Sequence, residues 1–107
     1  MKKSLQELEE ENFEFLTLIP KGKVVTYGQI AEYLGNKGLA RVVGNILHNN
    51  PSEELFPCYK VVNGQGKLAP SFVFGGINEQ KARLEKDGIK VEKNKVDLKK
   101  YQWKIVD

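Results

Sequence analysis

The chain has 107 residues, 40% hydrophobic and 29% charged, with a net charge of +3, one cysteine and one histidine. That balance excludes a disordered or fibrous protein, and the length fits one folded domain over residues 1–107 rather than separate binding and catalytic domains. No apolar run approaches the roughly 18 residues of a membrane span, no disulfide or zinc-ligand set can be assembled, and Met1-Lys2-Lys3 leads into an acidic amphipathic segment instead of a signal-peptide core, so a cytoplasmic protein without structural metal is expected.

Residues 1–20 carry two lysines against five glutamates. Within them Ser4 and Glu7 form a capping-box signature, and Leu5, Leu8, Phe15, Leu16 and Ile19 approximate one stripe, which predicts a first helix over about 4–18. Pro20-Lys21-Gly22 ends it, and Lys23-Val24-Val25 has room only for a short extended piece. Thr26 with Gln29 opens a second capping box, predicting a helix over about 27–34 that buries Ile30 and Leu34 and stops at Gly35.

A third helix is predicted from about Leu39 to His48, with Ala40, Val43 and Leu47 on one face and Arg41, Gly44, Asn45 and His48 on the other. Two short helices joined by Gly35-Asn36-Lys37-Gly38 read as a helix-turn-helix, whose second helix can lie in a DNA groove; an ordinary helical hairpin with a polar outer face is the alternative. Gly44 favours the first reading, because a helix built for stability alone rarely carries an outward glycine, whereas close approach to a phosphate backbone calls for one. His48 either faces DNA or ends the helix, with a slight preference for the latter.

Asn50-Pro51 closes the third helix. Tyr59 to Val62 then read as a strand, Asn63-Gly64-Gln65-Gly66 as a tight turn, and residues 69–76 as an irregular loop with an apolar centre. A last helix is predicted over about 78–86, ending at Asp87-Gly88, with a hairpin around Asn94 after it. Residues 81–107 carry nine basic against five acidic groups, which permits nucleic-acid binding but is commonly only a solvated face. Cys58 sits between Pro57 and the short β-branched run. A lone thiol is most often a small buried hydrophobe, yet its position just after a candidate DNA-reading helix makes Cys58 a candidate nucleophile.

Thr26-Tyr27-Gly28, Ala40-Arg41-Val42-Val43-Gly44, Asn50-Pro51, Pro57-Cys58-Tyr59-Lys60-Val61-Val62, Gly75-Gly76 and Asp87-Gly88, in that order, resemble the DNA-binding domain of alkylguanine-DNA alkyltransferases over roughly residues 10 to 92. The resemblance implies an α+β, mainly helical, winged-helix-like domain with a helix-turn-helix and short β-hairpins. It also implies a monomeric DNA-repair protein that needs no cofactor, binds duplex DNA and flips out guanine alkylated on its exocyclic oxygen. The alkyl group would pass irreversibly to Cys58. Tyr27 would press on the phosphate beside the lesion, with Thr26 and Gly28 at the same helix start, and Arg41 would fill the stack where the base has left. Ala40, Gly44 and Asn45 would complete the DNA-facing surface, approached through the minor groove with weak sequence preference. Asn50 would brace the cysteine segment. Pro57, Val61 and Val62 would bound the pocket, Val61 and Val62 through backbone groups, with Val73, Phe74 and Gly75 as a loop wall; Lys60, where the family usually has arginine, would be structural or electrostatic.

The chain also departs from the family pattern. Tyr59 stands where the family carries the histidine that serves as base through a water, and a phenol of pKa about 10 cannot accept a proton as imidazole does. Slower transfer is expected, with a proton relay through the phenol still open; Asp87, at the supporting glutamate position, is one methylene shorter. Val73 and Phe74 replace a tyrosine and a small residue, so one donor to the damaged base is lost, and Phe72 or Phe74 can stack on it instead. The family's amino-terminal companion domain is expected to be absent. These departures resemble the alkyltransferase-like proteins, which carry tryptophan for the cysteine, bind alkylated DNA without repairing it and flag it for excision-repair proteins. The retained Cys58 favours the enzyme over such a sensor. A winged-helix transcription regulator is the third alternative.

Overall fold

In the computed structural model residues 3–70 and 72–104 are described. Helix α1 (Leu5–Leu18) starts at the expected capping box, Ser4 Oγ accepting from the Glu7 amide at 3.2 Å while Glu7 Oε1 accepts from the Ser4 amide. Its inner face buries Asn12, Phe15 and Leu16, but Leu5, expected in the apolar stripe, is 61% exposed, because it lies in the first turn beyond the reach of the core. Lys60 fits the structural reading: its Nζ donates to the Ile19 carbonyl at 2.9 Å, where a cation meets the negative end of the α1 dipole.

Strand β1 (Val25–Thr26) runs straight into helix α2 (Tyr27–Tyr33), whose capping box closes through Thr26 Oγ1 and the Gln29 amide at 3.1 Å. A 3-10 turn over Lys37–Leu39 delivers helix α3 (Ala40–His48). Val43, Ile46 and Leu47 of α3 are buried against α1 and α2, leaving Arg41, Asn45 and His48 exposed on the opposite face. This is the helix-turn-helix expected from the spacing.

The cysteine segment differs from the expected strand. Cys58–Lys60 forms a 3-10 turn, and only Val61–Val62 (β2) is extended. Proline at 57 and the Cys58 amide, which donates to the Phe56 carbonyl at 2.8 Å, bend the chain sharply before it can enter a ladder. The Asn63–Gly66 turn is present, yet β2 pairs in parallel with β1, Val25 opposite Val61 and Thr26 opposite Val62, so that three buried valines and the buried Thr26 cross the centre of the fold.

Helix α4 (Gly76–Lys86) begins two residues earlier than predicted. The hairpin of β3 (Val91–Glu92) and β4 (Lys95–Val96) turns at Lys93 and Asn94, both at positive φ, the pattern of a two-residue hairpin turn. A further short helix, α5 (Leu98–Tyr101), follows where none was expected, and the chain then returns to the helix-turn-helix. The Trp103 amide donates to the Val24 carbonyl at 2.7 Å, Gln29 Nε2 to the Trp103 carbonyl at 2.7 Å, and the Trp103 ring packs on Phe15. The core has two clusters, one around α1–α3 and one beneath α4 and the β3–β4 hairpin, with Tyr59 packed against both. No helix of the described residues is long and apolar enough to cross a membrane.

Candidate nucleophile cavity and DNA-facing helix

Leaving α3, the chain is folded back by Asn50. Its buried side chain donates through Nδ2 to the Phe56 carbonyl at 2.7 Å and accepts the Ser52 amide on Oδ1 at 2.9 Å. That closed loop sets Cys58 under the end of α3, 5% exposed. Burial pushes the Cys58 thiol up from its ordinary range, and the nearby Asn50 amide pulls it part of the way back. The sulfur is therefore a thiol at neutral pH unless a base acts on it.

Cys58 lines a cavity of about 60 Å³, with Tyr27, Gly44 and His48 on the helix side and Phe72 and Val73 on the loop side. Of the other expected pocket residues Val61 reaches this wall, whereas Pro57, Val62, Phe74 and Gly75 do not. Val62 is packed inside the second core cluster. Gly75 instead turns the loop into α4: its φ is +122°, and a Cβ there would sit 2.9 Å from the Glu79 Cβ.

On the side expected to face DNA, Arg41 and Asn45 are exposed, Ala40 and Gly28 half-buried, and Thr26 is buried with its hydroxyl occupied by the α2 cap. A Cβ added to Gly44 would meet nothing within 4 Å, so packing inside the protein does not call for glycine there. Tyr27 meets the cavity from the start of α2, and burial raises its phenol's pKa.

The expected relay is assembled away from the sulfur. Tyr59 Oη donates to Asp87 Oδ2 at 2.5 Å, and burial together with that carboxylate holds the phenol far above its ordinary pKa. Neither Tyr59 nor Asp87 lines the cavity of Cys58. The structure pairs these two residues with each other and gives neither a free acceptor pointing at the thiol.

Two positioning residues escape sequence reasoning. Gln80 of α4 is fully buried; its Nε2 donates to the Tyr59 and Val61 carbonyls at 3.1 and 3.0 Å, and its Oε1 accepts the Ala69 amide at 2.7 Å, which ties the cysteine turn to the pocket loop. Its spacing from Leu84, four residues on, was the available signal. Arg83 lies 5.5 Å from the Phe72 ring centroid and 5.9 Å from that of Phe74, while ion-pairing with Glu79 and with Glu53 of the loop before Cys58. Among the described residues no group of three or more His, Cys, Asp or Glu side chains is placed to hold a metal ion.

A helix-turn-helix whose polar face adjoins a cavity floored by a thiol defines the class: a DNA-binding-type domain with a buried cysteine beside its second helix. Residues 7–89 match the family described as 6-O-methylguanine DNA methyltransferase, DNA binding domain, and the chain belongs to that family. It is 45% identical over 92 residues to a Vibrio parahaemolyticus DNA base-flipping protein, covering 85% of this chain and 90% of that one. It is 37% identical over 79 residues to the methylated-DNA–protein-cysteine methyltransferase of Mycobacterium tuberculosis, covering 74% of this chain but 47% of the relative, about half its length. The fold matches the Schizosaccharomyces pombe alkyltransferase-like protein, solved with damaged DNA containing O6-carboxymethylguanine, at a TM-score of 0.86 and 32% identity over 98% of this chain and all of that one.

Proposed function

We propose that this protein binds duplex DNA, turns out guanine alkylated on its exocyclic oxygen and accepts the alkyl group on Cys58 Sγ, as a monomer without a cofactor. The observation that carries this reading is the placement of a lone thiol, on a segment braced by Asn50, on the floor of a cavity walled on one side by Tyr27, Gly44 and His48 of the helix-turn-helix. Sγ attacks the alkyl carbon as the carbon–oxygen bond breaks, leaving guanine in DNA and a thioether on the protein. The reaction ends there, since nothing regenerates the thiol.

At about 60 Å³ the cavity is smaller than the roughly 150 Å³ that admits a benzene ring, so taking in a purine requires its walls to open. Arg41, exposed at the first turn of α3, is the cation placed to fill the vacated stack. The direct test is intact mass after incubation with duplex containing O6-methylguanine. A gain of one methyl group supports transfer, and none after prolonged incubation overturns it.

A non-catalytic lesion sensor is the second reading, favoured by the capture of Tyr59 by Asp87 and by similarity to base-flipping and alkyltransferase-like proteins. Tighter binding of damaged than undamaged duplex without a mass gain would establish it. Excision-repair proteins would then be the partners.

Two variants test the DNA-facing helix in either reading. Arg41→Ala is expected to weaken binding to damaged duplex by about tenfold, roughly 1.4 kcal/mol, in a fluorescence anisotropy titration, with an unchanged thermal melt. Gly44→Ala is expected to move the two properties in opposite directions. Removing a mid-helix glycine stabilises the fold by about 0.8 kcal/mol in denaturant unfolding, because its methyl meets no protein atom within 4 Å, while that methyl holds the DNA backbone away and lowers affinity.

A further inference from the structure

The thiol of Cys58 is buried, protonated at neutral pH and lacks the neighbouring base that Tyr59 would have to be. Transfer still requires that its proton leave. The polar groups on the cavity wall are few enough to examine in turn. Gln80 is not a base, and its amide is committed at both ends to backbone groups. Tyr27 is a phenol made harder to ionise by burial and by the neighbouring sulfur. Outside the wall, Glu53 acts on the sulfur through space but is ion-paired with Arg83, and Asn50 has no acidic or basic function. His48, the single histidine of the chain, remains, and it shares the cavity with Cys58 and Tyr27.

We infer that His48 is the group that receives the Cys58 proton, an inference that rests on the transfer reading above. His48 is the last residue of the nine-residue helix α3, so an imidazolium formed there meets the partial negative charge of the helix C-terminus. The cavity that both side chains line, about 60 Å³, has room for water, and the proton passes to the imidazole nitrogen directly or through one such water. Sγ then bonds to the alkyl carbon, the electrons of the broken carbon–oxygen bond stay on the guanine, and the guanine ring takes the proton back from the imidazolium. Thiol and alkylguanine become thioether and guanine, with His48 returned to its starting state. The ionisable groups that face His48 across the cavity are Tyr27 from α2 and Cys58 from the 3-10 turn, with Arg41 two turns back on its own helix face.

The test is the single-turnover transfer rate at saturating methylated duplex, read from intact mass between about pH 5.5 and 9.5, for the wild type and His48→Gln. Saturating DNA separates the rate from any loss of binding at this exposed position. The wild-type rate is expected to rise with pH as the thiol proton is more readily removed. His48→Gln is expected to be on the order of 10- to 100-fold slower near pH 7 and to approach the wild type at the alkaline end, where hydroxide removes the thiol proton. His48→Ala should regain rate when free imidazole is added. A His48→Gln profile that superimposes on the wild type overturns this inference and leaves the transfer reading intact. Absence of transfer by the wild type at every pH overturns both.

Discussion

Cys58→Ser is expected to abolish the mass gain on methylated duplex entirely while changing damaged-DNA affinity by no more than about twofold. A serine hydroxyl stays protonated across the working pH range and is a far weaker nucleophile than a thiol that can ionise. Binding is spared because Cys58 lies on the cavity floor, whereas the proposed contacts to the duplex come from Arg41, Gly44 and Asn45 on the exposed side of α3. The loop before residue 58 is closed by Asn50 through the Phe56 carbonyl and the Ser52 amide, neither of which involves the sulfur, so the fold should survive. Intact mass and anisotropy on the same preparation decide the matter. A residual methyl adduct on the serine variant would place the acceptor elsewhere and sink the assignment of Cys58.

Gln80→Leu is expected to be the most damaging conservative change in the fold, costing about 3 kcal/mol in denaturant unfolding and lowering the melting temperature by more than about 10 °C. Leucine nearly preserves the volume, so the loss comes from polar groups rather than from a cavity. The carbonyls of Tyr59 and Val61 and the amide of Ala69 each lose a partner in a region water cannot reach freely. Lesion binding should fall as well, since the same side chain fastens the segment entering the pocket loop to the cysteine turn. A loss below about 1 kcal/mol would mean that this buried amide is not the tie between the two.

Much of the frame around the candidate site is legible in local sequence signals. Ser4–Glu7 and Thr26–Gln29 are local capping signals spanning three residues, and each forms as expected. The polar face of α3 follows from helical spacing, and the hairpin turn from the tolerance of asparagine for positive φ. The cavity wall was readable only in part. Phe74 and Gly75 lie in the right loop but do not face the sulfur, because Phe74 is held against Arg83 and Gly75 is used to enter α4. The Tyr59 to Val62 strand was half right: the β-branched pattern is carried by Val61 and Val62, while the turn imposed after Pro57 has no hydropathy signature.

The amino-acid sequence thus determined the first four helices, the capping boxes of α1 and α2, the outward glycine and the position of the thiol, since each depends on interactions within one turn or one tight loop. Only the tertiary structure decided that β2 pairs in parallel with β1, that Tyr59 is captured by Asp87 twenty-eight residues away, and that His48 shares a cavity with Cys58. Those outcomes join segments from distant parts of the chain. Which partner a buried polar group takes there is fixed by how whole elements pack against one another, and no local pattern of residues encodes that choice.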